Sequence, residues 1–100
     1  MDWQVRPHRA LGLEINRVMD GYIVFQADRA RLHYLNHTAA LILEACDGRI
    51  TAAELPGLIA ALCHLPEPPI QDVERCLGRL LTEGLLVDGV PVGTNGAFGT

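Results

Sequence analysis

The chain has 100 residues and a mass of 10.9 kDa; 49% of the residues are apolar, 20% are charged, the net charge is −4 and the pI is near 5.4. These values describe one globular domain with a modest core, burying about 65% of the surface its unfolded chain exposes, and the acidity argues against a general polyanion binder. Neither lysine nor serine occurs, which excludes Schiff-base lysines, Walker-type phosphate lysines and serine nucleophiles.

Residues 1–10 read as an N-terminal extension, and Met1-Asp2-Trp3-Gln4 shows neither the basic nor the apolar region of a signal peptide. Leu11, Leu13 and Ile15 then alternate with Gly12, Glu14 and Asn16, the period-2 pattern of a half-buried strand. Met19-Asp20-Gly21 breaks it, and Asp-Gly is a hairpin signal. Residues 22–27 are β-branched and aromatic, a second strand; Asp28-Arg29-Ala30 turns the chain, and residues 31–35 make a third. Such short connections predict an antiparallel meander.

The second half reads as helices. Asn36 suits an N-cap, and residues 38–46 are apolar apart from Glu44, as in a buried helix. Asp47-Gly48 ends it, with Gly48 suited to a left-handed C-cap. Thr51-Ala-Ala-Glu54 matches a capping box, and Leu55, Leu58, Ile59 and Leu62 share one helical face, although Pro56 and Gly57 disturb the start of that helix. After the stiff Pro66-Glu-Pro-Pro69 connector, Ile70, Val73, Leu77, Leu80 and Leu81 mark a third helix that Gly84 stops. Asp88-Gly89, between two short apolar runs, predicts a small hairpin wing with Pro91 on an edge, followed by a glycine-rich tail. The expected fold is α+β: a three-stranded antiparallel β-meander followed by a three-helix winged-helix-like bundle, with a domain over 11–87 and a wing and tail over 88–100.

Little in this pattern suits catalysis. Cys46, Cys63 and Cys76 are odd in number, form no Cys-x-x-Cys and sit in apolar helical stretches, as buried free thiols of a cytoplasmic protein do. His33 and His37 straddle a strand–helix junction, Cys63 and His64 are sequence neighbours that do not face each other, and Glu14, Glu44, Glu54 and Glu74 form no paired-carboxylate pattern. We therefore expect no metal, no cofactor and no enzyme activity. The longest apolar runs are far short of the roughly 18 residues that span a membrane.

The block from Leu32 to Thr51 carries a resemblance. Leu35-Asn36, Ala39-Ala40, Ile42-Leu43, Asp47-Gly48 and Thr51, followed by Asp72-Val73, Leu77, Leu80-Leu81 and Glu83-Gly84-Leu85-Leu86, stand in the order and spacing of the PqqD family. The resemblance covers roughly residues 11–87 and departs at Pro56-Gly57 and in its longer C-terminal tail. It implies a RiPP recognition element, a domain that does no chemistry but binds the leader segment of a ribosomally made precursor peptide. Such a domain presents the precursor to a modifying enzyme, often a radical SAM enzyme. It also implies where: the leader adds as an extra strand beside the third strand, in a groove bounded by the third helix.

The residues themselves are compatible with that. The third strand has no proline or lysine to guard its edge, and both its faces are partly apolar, Leu32 and Tyr34 against His33 and Leu35. The surplus apolar face of the sheet either binds a partner or lies under the N-terminal segment around Trp3 and Val5. On the third helix Gln71, Arg75, Arg79 and Thr82 line the face opposite the core residues; Arg75 and Arg79, one turn apart, suit an acidic side chain, and Cys76 sits on the flank. The expected peptide-binding residues are Arg31, Leu32, His33, Tyr34, Leu35, Arg75, Cys76 and Arg79. Proline at 33 blocks this edge provided that the His33 N–H points outward, a parity that local sequence does not set. Two other readings compete. A winged-helix protein would read DNA with Gln71, Arg75 and Arg79, but Asp72, Glu74 and Glu83 leave that helix near −1 and no lysine is available for phosphate. A homodimeric interaction module would pair its edges with each other.

Overall fold

The computed structural model describes residues 2–88. The meander forms as the alternation predicts. Strands β2 (Leu13–Val18), β3 (Gly21–Gln26) and β4 (Arg31–Leu35) pair antiparallel in that order, ahead of helices α1 (His37–Ala45), α2 (Leu55–Cys63) and α3 (Ile70–Thr82). Two further short strands, β1 (His8–Arg9) and β5 (Leu86–Val87), pair with each other. The other arm of the expected wing, residues 90–92, lies outside the described residues, and Leu86–Val87 bonds to β1.

The segment before residue 11 is tied into the helical layer. Ala52 N–H donates to Val5 O (2.8 Å) and Ala53 N–H to Trp3 O (2.9 Å). Arg9 Nη1 donates to Glu44 O (2.6 Å), placing a cation at the α1 C-terminus where unpaired carbonyls accumulate. Trp3 and Val5 therefore do not cover the open face of the sheet; main-chain bonds hold them beside residues 52 and 53.

Helix α1 begins where Asn36 Oδ1 accepts the Ala39 N–H (2.9 Å). Gly48 does adopt the left-handed conformation (φ 83), but two residues past the Cys46 C-cap, where its N–H reaches Pro7 O (3.0 Å). Before α2, Thr51 opens a 3-10 turn over Ala52–Glu54. The Glu54 carboxylate accepts from the Thr51 N–H (2.8 Å) and hydroxyl (3.2 Å). Pro56 falls in the first turn of α2, where no N–H is needed, so it starts that helix rather than breaking it. The α2 face is rotated from expectation: Leu55, Pro56 and Ile59 are buried, whereas Leu58 and Leu62 are turned to solvent. Only the i, i+4 row fits against its neighbours α1 and α3. Helix α3 buries Val73, Leu77 and Leu80 and ends in a Schellman motif. There Gly84 (φ 77) lets Leu85 N–H return to Leu80 O (3.0 Å) and Gly84 N–H to Leu81 O (3.1 Å).

The core lies between the sheet and the helices. Val24 and Leu35 from the sheet meet Ile42, Leu43, Leu55, Ile59, Leu77 and Leu80, each fully or almost fully buried and each contributing about 1.5–3 kcal/mol of transfer free energy.

The Thr51 bonds hold the Glu54 carboxyl below its ordinary value of 4.5, the main-chain bond being the larger cause. Because the carboxylate form is the one stabilised, the contribution is present above that ordinary value and is lost as pH falls through the lower folded-state value. Thermal melts should show Glu54→Ala less stable than the parent at neutral pH, with the gap closing in acid; a gap independent of pH would contradict the cap.

Candidate functional site

Register determines what β4 offers. Val18 and Gly21 flank the two-residue Met19–Asp20 loop and form the hydrogen-bonded pair that closes the hairpin. Antiparallel alternation then directs the backbone groups of Ile23 and Phe25 toward β2, and those of Tyr22, Val24 and Gln26 toward β4. Their β4 partners, Leu35, His33 and Arg31, bond inward. The N–H and C=O of Leu32 and Tyr34 point to the open edge.

Side chains follow the same parity. Leu32 (69% exposed) and Tyr34 (46%) stand on the sheet face away from the helices, with Ile23 and Phe25 beside them. Leu35 and His33 are buried under the helices. The Asp20-Gly21 hairpin forms as expected, with Gly21 outside the left-handed region. A Cβ there would lie 2.5 Å from Leu35 O and 2.8 Å from the Tyr34 hydroxyl, so glycine is needed for the close approach of β4. The Tyr34 hydroxyl itself donates to Asp20 O (2.7 Å).

Of the expected docking residues, Leu35 and His33 turn their side chains inward, and the His33 imidazole is bonded within the protein. Its Nε2 bonds Gln26 Oε1 (2.9 Å) inside the protein, and its Nδ1 lies 3.5 Å from Glu83 Oε1. Gln26 Nε2 donates to the Glu83 and Gly84 carbonyls (3.2 Å each), and Arg29 Nη1 adds a bond to Glu83 O (3.2 Å). This buried polar cluster ties β3 and β4 to the C-terminal end of α3. Its side chains satisfy carbonyls that the last turn leaves open.

Where β4 runs into α1, a groove of about 350 Å³ opens against α3, lined by Leu35, Asn36, Thr38, Ala39, Asp72, Arg75, Cys76, Arg79 and Leu80. Leu35, Arg75, Cys76 and Arg79 thus come together as expected. Gln71 and Thr82 do not join them, and Arg31, although exposed, sits at the far end of the strand. Thr38, Ala39 and Asp72 went unseen in the sequence; the first two follow the helix cap and the third is offset by one turn from Arg75. Both arginines already have acidic neighbours: Arg75 Nη1 to Asp72 Oδ1 at 3.3 Å and Arg79 Nε to Glu83 Oε1 at 3.4 Å. Burial raises the Cys76 thiol above its ordinary pKa, with nearby Arg79 opposing the shift, so the groove presents a neutral sulfhydryl. The Cys46 thiol, deeper in the core, is pushed up to about 12 by burial. All three cysteines are free.

Among the described residues no cluster of His, Cys, Asp and Glu side chains is arranged to hold a metal, and no helix is long and apolar enough to cross a membrane. Fold and site together define a small α+β domain whose three-stranded sheet has β2 and β4 as its edge strands, with β4 running into a groove walled by the third helix. The family model described as coenzyme PQQ synthesis protein D (PqqD) matches residues 21–86, and the chain belongs to that family. The match takes in the whole of β3, β4 and the three helices. Comparisons with curated proteins and with solved structures find no match.

Proposed function

We propose that this protein is a non-catalytic adaptor that binds the leader segment of a ribosomally made precursor peptide and presents it to a modifying enzyme, with radical SAM enzymes as the first class to test. Membership of the PqqD family supports the peptide-binding role. The observation that carries the binding mode is the open β4 edge, with the backbone of Leu32 and Tyr34 directed outward, running straight into the α3 groove. An added strand takes its affinity from those main-chain groups and its sequence preference from alternate side chains. Peptide residues opposite Leu32 and Tyr34 share their open face. Residues opposite His33 and Leu35 turn toward Arg75, Cys76 and Arg79, where an acidic side chain finds two guanidinium groups one turn apart.

The acid partners of both arginines count against DNA as the ligand: each phosphate contact would first have to displace Asp72 or Glu83. Adaptors of this kind work in the cytoplasm, where the three thiols stay reduced.

Amide NMR titration tests the proposal with two probes, a synthetic leader from a short precursor gene adjoining this one and a mixed-sequence DNA duplex. Shifts at residues 32, 34 and 72–79 with peptide alone are expected. Arg75→Glu combined with Arg79→Glu should weaken that binding about tenfold or more, the scale of losing a charge-assisted bond, while leaving the thermal midpoint nearly unchanged. Shifts with DNA alone would replace the adaptor by a winged-helix reader. Size that grows with protein concentration, without peptide, would make β4 a homodimer edge.

A further inference from the structure

Past the N-terminal end of α3 lies a second concavity, of about 480 Å³, walled by Trp3, Ala53, Pro56, Gly57, Pro68 and Ile70. None of these carries a charge, and Ile70 stays 54% exposed at its rim. A shallow dent lined by Pro68, Pro69, Ile70, Gln71 and Asp72 connects it to the first groove, sharing Pro68 and Ile70 with the concavity and Asp72 with the groove. The three form one track along α3. Glu83 lies beside His33 at the C-terminal end of α3, and Leu35, Asn36, Thr38 and Ala39 share the groove with α3 residues from Leu80 back to Asp72. A chain paired with β4 that continues past Leu35 therefore travels toward Ile70.

The concavity is built, not incidental. Main-chain bonds from residues 52 and 53 hold the Trp3 segment in place. Gly57 has no conformational reason to be glycine: its φ is not left-handed, and a Cβ there would meet nothing within 4 Å. Alanine would be the better helix former at that position. What glycine does is leave the wall of the concavity open.

Resting on the strand-addition reading, we infer that this concavity is a second subsite for the same peptide and takes one aliphatic or aromatic side chain. From Arg79 to Ile70 the helix rises about 13 Å. An extended peptide covers that in about four residues, which sets the position of the anchor beyond the added strand. An uncharged lining whose one side-chain hydrogen-bonding group is the Trp3 indole N–H selects an apolar residue, and continuity with the β4 groove selects the peptide over a separate protein surface.

Trp3 is the single tryptophan of the chain and reports directly on this subsite. The probe is a phage-displayed library of random peptides of about twelve residues, long enough for strand and anchor. It is selected on the parent protein and on Gly57→Leu and Leu32→Pro variants. Selected peptides should share a strand-forming stretch followed, about four residues on, by an apolar position, and should shift Trp3 emission when synthesised. Gly57→Leu, or glycine at the peptide's apolar position, should each weaken binding about ten- to a hundredfold, the scale of burying one large apolar side chain. Peptides truncated after the strand stretch should bind both proteins equally and leave Trp3 emission unmoved. The glycine-substituted peptide reads the subsite on the parent protein, whatever Gly57→Leu does to folding. Binders indifferent to both changes would overturn the subsite and leave strand addition standing. Binders indifferent to Leu32→Pro, or none at all, would overturn strand addition and this inference with it.

Discussion

Proline at position 32 is expected to abolish peptide docking in a protein that remains folded, whereas proline at position 33 is expected to unfold it. The two positions are adjacent and both lie in an edge strand, so their difference rests entirely on parity. The Leu32 N–H points away from β3, so its loss costs no ladder bond, and the side chain is 69% exposed. The same N–H is one of the few main-chain donors an incoming strand would use. Position 33 is the reverse. Its N–H bonds to Val24, its imidazole partners Gln26 Oε1, and it is 6% exposed. Proline there removes a ladder bond and leaves both the Val24 carbonyl and a buried amide oxygen unpaired, each costing about 1–3 kcal/mol. Against a total of about 5–15 kcal/mol for a domain of this size, that is a large share. Circular dichroism melts with a peptide titration separate the outcomes. Undiminished binding by a folded Leu32→Pro variant would rule out strand addition at β4.

Gly21→Ala and Gly57→Ala should move stability in opposite directions. At 21 a methyl group would sit 2.5 Å from the carbonyl oxygen of Leu35 and within 2.9 Å of the Tyr34 ring. A carbonyl already committed to the β3–β4 ladder cannot retreat without shifting the strand. A loss of about 1–3 kcal/mol is expected, each kcal/mol lowering the thermal midpoint by about 4–8 °C. The strand displaced is the one proposed to receive the peptide, so Gly21→Ala should also weaken docking. At 57 the added methyl meets open space in a helix, and a gain of up to about 1 kcal/mol is expected. Equal effects at the two sites would mean that the tight β3–β4 approach is not what requires glycine at 21.

Much of the architecture was legible locally. Asn36 capping α1, the Thr51–Glu54 pair before α2 and Gly84 terminating α3 act over three to five residues, which is the range that sequence spacing encodes. The strand bounds of β4 likewise follow from the Asp28-Arg29-Ala30 turn before it and the Asn36 cap after it. Asp20-Gly21 marked the hairpin correctly, and contact with β4 is what imposes glycine there. One local signal misled for an identifiable reason. The Leu55, Leu58, Ile59 and Leu62 row suggested one buried face, when neighbouring helices cover only half of it.

The site itself divides along the same line. Local sequence specifies the three meander strands and the three helices, their order, the apolar character of both faces of β4 and the Arg75–Arg79 spacing, because each depends on residues within one turn or one pleat. Only the tertiary structure decided which parity of β4 faces outward, since one residue of register exchanges the two faces. It also joined β1 to β5, buried His33 against Gln26 and placed Trp3 beside Gly57. β1 and β5, like Trp3 and Gly57, lie far apart along the chain, and His33 and Gln26 sit on different strands. Their contacts depend on how the layers pack, and no local periodicity records that packing.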